Sequence, residues 1–305
     1  MDVEKNLRRN LMSKFILSCE TTADLTAERF AERNVNIVVS HFFVNNTEYA
    51  DDFGKTMPHK KLYEEMDKGA KTSTSQVTSE EYVKNFTPLL EEGYDIVHIT
   101  LSSGLSGTYQ SALIAKKELE EKFADRKIYI IDSLGASSGY GLLVEQAADY
   151  KDAGHTAEET AKYADELKGR ISYLFFSTDL SAYIRGGRVS AASGIIGTLL
   201  HVCPLLHTDN EGKLIVIKKL IGKKRATAEL IKLMLEHVLD GEDYDGRCYL
   251  CNSDCIDDAN YVVGELEKTF PKLKGKCEIY DIGATIGCHT GRGTVAVFFV
   301  GKERA

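Results

Sequence analysis

The sequence lacks most signatures of nucleotide, metal and membrane binding. It has no G-x-x-x-x-G-K-[ST] loop, since the Gly222-Lys-Lys stretch lacks both the upstream glycine and the hydroxyl. No G-x-G-x-x-G run opens a helix after a strand, so an autonomous nucleotide site is unsupported. Cys248, Cys251 and Cys255 approach zinc spacing. Two of them fall on opposite faces of an expected strand and no second pair completes a set, so no metal is expected. Seven cysteines, an odd number without secretory context, fit reduced thiols and a cytoplasmic location. No apolar run nears the roughly 20 residues of a membrane span. Residues 1–14 lack the apolar core of a signal peptide, and Met12 looks like a second possible start. A net charge of −8 with dispersed basic residues argues against a nucleic-acid partner. Repeats and low-complexity segments are absent.

What is present is a regular alternation. Short apolar runs at 15–18, 36–40, 96–101 and 127–131 predict strands. Helical patterns at 25–33, 60–67, 79–91, 110–123, 139–151 and 157–167 separate or follow them. Such alternation means βαβ units and a mostly parallel sheet. Beyond Gly169 the character changes to a strand at 171–177 and a hairpin over 205–217, turning at 210–212. A helix at 225–239 and strands near 247–251, 276–281 and 294–300 follow. The 305 residues thus suit two α/β domains, 1–169 with a mostly parallel sheet and 170–305 with a mixed or antiparallel one.

Four polar islands interrupt the pattern. The 96–108 stretch ends a buried apolar run in a turn carrying Ser102, Ser103, Gly104, Ser106 and Gly107, directly before a helix. In a parallel sheet that turn lies at the carboxyl edge, where ligands bind, and its free N–H groups suit an anion. The 72–78 run (Thr, Ser, Thr, Ser, Gln, Val, Thr) reads as a loop before a helix, where capping alone is an equal reading. Arg185-Gly-Gly-Arg188 reads equally as a helix stop or as two guanidiniums gripping oxygens. His289 sits between glycines in an expected loop ahead of the apolar 295–300 strand.

Taken in order, Thr-Ser-Gln, Ser-Ser-Gly-Leu-Ser-Gly-Thr-Tyr-Gln-Ser-Ala, Asp-Leu-x-x-x-x-Arg-Gly-Gly-Arg-Val and Gly-x-His-Thr-Gly-x-Gly resemble the motifs of the DegV family of bacterial fatty-acid-binding proteins. The similarity runs from about residue 15 to 301. It implies a DegV-like fold of two α/β domains with an acyl tunnel. It also implies a non-enzymatic, lipid-binding subunit that presents a long-chain fatty acid to a separate cytoplasmic kinase. That kinase would form the acyl phosphate that feeds phospholipid synthesis. By the same resemblance Thr74 and Ser106 hold the carboxylate, while Arg188 and His289 face the pocket mouth and the incoming phosphate. No cofactor is implied beyond the bound fatty acid, and transient contact with a membrane surface is compatible with the ligand. Three departures from the family pattern stand out: Cys19-Glu-Thr-Thr22 for Thr-Asp-Ser-Thr, Gln76-Val77 for Gln-Pro, and Gly291-Arg-Gly293 for Gly-Pro-Gly.

The chemistry fits the residues on its own terms. Buried methylenes contribute up to about 0.8 kcal/mol each, so a long acyl chain gains on the order of 10 kcal/mol before ordering costs. A desolvated carboxylate needs hydrogen bonds, which hydroxyls and turn amides supply. The competing class is a serine-dependent lipid or ester hydrolase with Ser106 as nucleophile and His289 as base. Against it, Gly104-Leu-Ser-Gly-Thr108 carries threonine where the G-x-S-x-G elbow needs glycine. A third class is a sensor whose bound lipid is the signal. The 192–200 stretch, rich in small residues, is the expected determinant of tunnel depth.

Overall fold

A computed structural model describes residues 14–190 and 202–304, so the 192–200 stretch lies outside the described residues. Its first sheet is all parallel, in the order β2-β1-β6-β7, from β1 (Phe15–Glu20), β2 (Val35–Val38), β6 (Asp95–Thr100) and β7 (Ile128–Asp132). Every residue of β6 is buried, as a central parallel strand covered on both faces requires. The second sheet has the order β10-β9-β8-β13-β11-β12. It comprises β8 (Ile171–Ser177), β9 (Val202–Thr208), β10 (Leu214–Ile221), β11 (Cys248–Asn252), β12 (Cys277–Asp281) and β13 (Thr294–Val300). Only its β11–β12 pair is parallel. The α/β class and the parallel-then-mixed sheets agree with the sequence reading.

Helices set the layers. One outer face of the parallel sheet packs against α3 (Ser79–Glu91) and α4 (Thr108–Lys122) through Tyr82, Phe86, Ala112 and Leu119. Helix α3 starts on a capping box between Thr78 and Glu81. Between the sheets lies α5 (Ser137–Asp152), and α6 (Ala157–Leu167) packs beside it on β6 and β7. Being covered from both sides, α5 has no polar face through its first half: Ser137 to Glu145 are all buried. Helices α8 (Lys223–His237) and α9 (Ile256–Thr269) cover the far face of the mixed sheet. The short helix α1 (Ala27–Glu32) follows β1.

A third sheet was not foreseen. It is antiparallel, ordered β4-β3-β5, and built from β3 (His41–Val44), β4 (Thr47–Ala50) and β5 (Thr72–Ser75). With α2 (His59–Asp67) and α10 (Ala284–Thr290) it encloses a small core of Phe42, Val44, Met57, Leu62, Ala284 and Cys288. Two expectations are thereby corrected. The 72–75 stretch is a strand rather than a loop, and His289 stands on a helix rather than in one. Gly287, read as a loop signal, lies inside α10 because a Cβ there would come 2.7 Å from the Tyr63 hydroxyl. Close packing, not a turn, demands the glycine.

Candidate ligand site

The serine-rich turn is organised by Ser102. Its carbonyl accepts the N–H groups of Leu105 and Ser106 at 3.1 Å each, and its own N–H donates to Gly135 at 3.0 Å. Its hydroxyl donates to the Gly212 carbonyl at 2.8 Å, tying the turn to the β9–β10 hairpin. Ser103 donates its N–H to Asp132 and is exposed. Ser102 and Ser103 are therefore structural, whereas Ser106 projects its hydroxyl beside Thr108 Oγ1, at 2.8 Å, where α4 begins.

Beneath the turn lies a buried acid. The Glu20 carboxylate, fully buried, receives His98 Nε2 at 2.9 Å and the Tyr82 hydroxyl on one oxygen. The other oxygen receives the Leu101 N–H at 2.8 Å and the Tyr140 hydroxyl at 2.7 Å. Burial alone would raise its pKa. The His98 charge and the hydrogen bonds from His98, Tyr82 and Tyr140 outweigh that and hold it below the usual value. The residue that departs from the family's aspartate thus anchors the backbone directly ahead of Ser102.

Two of the three remaining islands meet at the small sheet. Strand β5 presents Thr74, α10 presents His289, and Thr74 Oγ1 lies 2.8 Å from His289 Nε2. Burial, then the charges of Arg188 and Arg185, push the imidazole down to about 4, so it is neutral near pH 7. With the proton on Nε2, the ring donates to Thr74 and leaves the threonine O–H free to donate onward. Arg188 follows α7 (Ser181–Arg185) and the Gly-Gly turn, in which Gly187 adopts a φ of +72°. Its Nε donates to the Leu105 carbonyl at 3.1 Å and its Nη1 to the Gly186 carbonyl. The guanidinium therefore straps the Gly-Gly turn to the serine turn. Arg292 lies 3.0 Å from Asp67, though not aligned for a hydrogen bond, and also pairs with Asp254. Its charge is offset by two carboxylates.

Thr74, Ser106, Arg188 and His289 line one narrow cavity of about 70 Å³. It shares the walls Ala136, Tyr183, Leu214, Ile286 and Thr290 with a second, apolar cavity of about 60 Å³ lined by Phe175, Ala296 and Phe298. Such a polar mouth on a greasy interior suits an amphiphile with one small polar head. Ser106 and His289 share the cavity but no hydrogen bond: Ser106 Oγ pairs with Thr108 and His289 Nε2 with Thr74, so the serine–histidine pair of the hydrolase reading is not formed. Sequence reasoning assigned no role to further lining hydroxyls, among them Thr22, Ser40 and Thr285.

A family model described as an uncharacterised protein of the DegV family matches residues 15–302. A DegV domain-containing protein of Clostridium perfringens is 34% identical over 96% of this chain and 99% of its own. The crystal structure of DegV, a fatty acid binding protein from Bacillus subtilis, is 26% identical with a TM-score of 0.79, covering 95% of this chain and all of that one. The fatty acid kinase B3 protein of Streptococcus pneumoniae, loaded with linoleic acid, is 20% identical with a TM-score of 0.81, over 94% and 99% of the two chains. At that identity the likeness speaks for the fold alone.

Proposed function

This chain belongs to the DegV family, and from that premise we propose that it binds a long-chain fatty acid and presents its carboxylate to a separate kinase. The observation that carries the reading is that the hydroxyl-lined cavity shares five wall residues with an apolar one. In this reading Thr74 and Ser106 donate to the carboxylate, and the apolar cavity takes the alkyl tail. The similar Bacillus subtilis protein binds fatty acid, which supports the same ligand class here.

The kinase step follows from the chemistry of the head group. A carboxylate oxygen attacks the ATP γ-phosphorus, the bond to the β-phosphate oxygen breaks, and acyl phosphate and ADP form. Negative charge accumulates on the transferring group, and Arg188 is the cation at the mouth that would offset it. His289, being neutral, contributes a hydrogen bond rather than charge. The acyl phosphate would then feed phospholipid synthesis.

Native mass spectrometry of freshly purified protein tests the ligand, with a co-purified long-chain acid as the expected result. Thr74→Ala or Ser106→Ala should reduce retention about tenfold, the effect of one lost hydrogen bond to a charged group. Arg188→Ala should keep the lipid but slow turnover with the kinase. Acyl phosphate made by the purified chain from ATP and palmitate alone would overturn the division of labour.

A further inference from the structure

Thr22 follows β1 and is 1% exposed, and Thr285 lies in the first turn of α10 and is 5% exposed. Both line the cavity that holds Thr74 and His289, yet neither Oγ1 has a hydrogen-bond partner among the described residues. The hydroxyls of Thr74 and Ser106, by contrast, each already have one partner within the protein. Buried hydroxyls are rarely left unpaired, and two in one cavity wall call for an oxygen from outside the chain.

Their placement narrows what that oxygen belongs to. Thr285 and His289 are four residues apart on α10, so they share a face one helical turn apart. Thr22 follows the carboxyl end of β1 in the parallel sheet and lines the same cavity. A plain alkyl chain passing between them would leave both hydroxyls unsatisfied. A hydroxyl on the acyl chain would satisfy both at once, donating to one threonine and accepting from the other. We infer that the site recognises hydroxylated fatty acids, with Thr22 and Thr285 as the residues that select the second oxygen. This rests on the fatty-acid reading above and names its substrate class.

The test measures affinities of the delipidated protein for palmitate and for monohydroxylated palmitates, from the 2-hydroxy to the 6-hydroxy isomer. The wild type is compared with Thr22→Val/Thr285→Val, which keeps side-chain shape and removes both oxygens. The inference expects at least one hydroxy isomer to bind more tightly than palmitate. That advantage should shrink about tenfold in the variant while palmitate affinity holds. An unchanged ratio for every isomer would overturn it, as would equal weakening of palmitate, which would make the threonines carboxylate ligands. Should the double variant not fold, Thr285→Val alone carries the same comparison. Failure of wild type to bind palmitate or any hydroxy isomer would instead sink the fatty-acid reading, so the two failures are distinguishable.

Discussion

Gly186 lies so close against the imidazole of His289 that a Cβ there would come within 2.2 Å of Nδ1. The Gly-Gly turn and the histidine, a hundred residues apart, thus set one another's position. An alanine at 186 must displace the ring and with it the hydrogen bond to Thr74. We expect Gly186→Ala to lower lipid retention about as much as Thr74→Ala, read by mass spectrometry of the purified variants. Gly187→Ala meets no atom within 4 Å, although its positive φ carries strain, so it should act on stability more than on retention.

The histidine also predicts a pH dependence. In the folded protein it is held near 4, against an ordinary 6.5, so the unfolded chain binds its proton first. Stability should therefore fall as pH drops from about 6.5 toward 4 and this contribution should level off below that. The slope is at most roughly 1.4 kcal/mol per pH unit. Urea unfolding of wild type and His289→Gln across that interval checks it, with a flatter profile expected for the variant. Parallel profiles would refute it.

Glu20→Gln predicts a large loss of a different kind. An amide must place a donor against groups that already donate to the carboxylate, namely His98, Tyr82, Tyr140 and the Leu101 N–H. Breaking such a buried pair costs about 3–5 kcal/mol. Because the folded carboxyl is held below its ordinary 4.5, its contribution is present above that value and is lost as pH falls through the lower folded value. Variant and wild type should converge in acid, as denaturation midpoints at neutral and acidic pH would reveal.

Ser102 and Gly212 predict a rescue. Gly212 has a φ of +73°, and a Cβ on it would lie 2.0 Å from Ser102 Oγ. Gly212→Ala should cost at least about 1 kcal/mol from backbone strain alone, with the clash added. Ser102→Ala singly should cost about 1–3 kcal/mol by leaving the Gly212 carbonyl unpaired. Combined, the serine change removes the clashing oxygen, so the double variant should be more stable than the sum of the singles. Simple additivity in thermal or urea unfolding would remove the relationship.

How much of this was legible depended on burial pattern. The strands of both large sheets could be read because runs such as 96–101 and 294–300 are mostly apolar. The small sheet could not, because β5 is Thr-Ser-Thr-Ser, whose residues also cap helices, and β4 is mostly exposed. Helix α10 was hidden by Gly287, which the sequence presents as a breaker and the packing against Tyr63 explains. Helix α9 carries a buried stripe of Ala259, Val262 and Leu266 that was open to a periodicity search. For the site, the motifs identified Thr74, Ser106, Arg188 and His289 as candidates. Their common cavity could not be read, since it joins segments from all three sheets. Thr22 was visible only as the last residue of a family motif and Thr285 carried no signal, because an unpaired hydroxyl is a property of its surroundings.

The smallest core carries a mechanical consequence. Thr74 and His289 both ride on the unit enclosed by Phe42, Val44, Met57, Leu62, Ala284 and Cys288, while Ser106 stays with the parallel sheet. A patch of so few side chains opens more cheaply than the extensive clusters flanking α5. In the proposed ligand-binding reading, its opening would carry Thr74 and His289 away from Ser106 together. Loading and unloading an occupant can then proceed with both large cores intact.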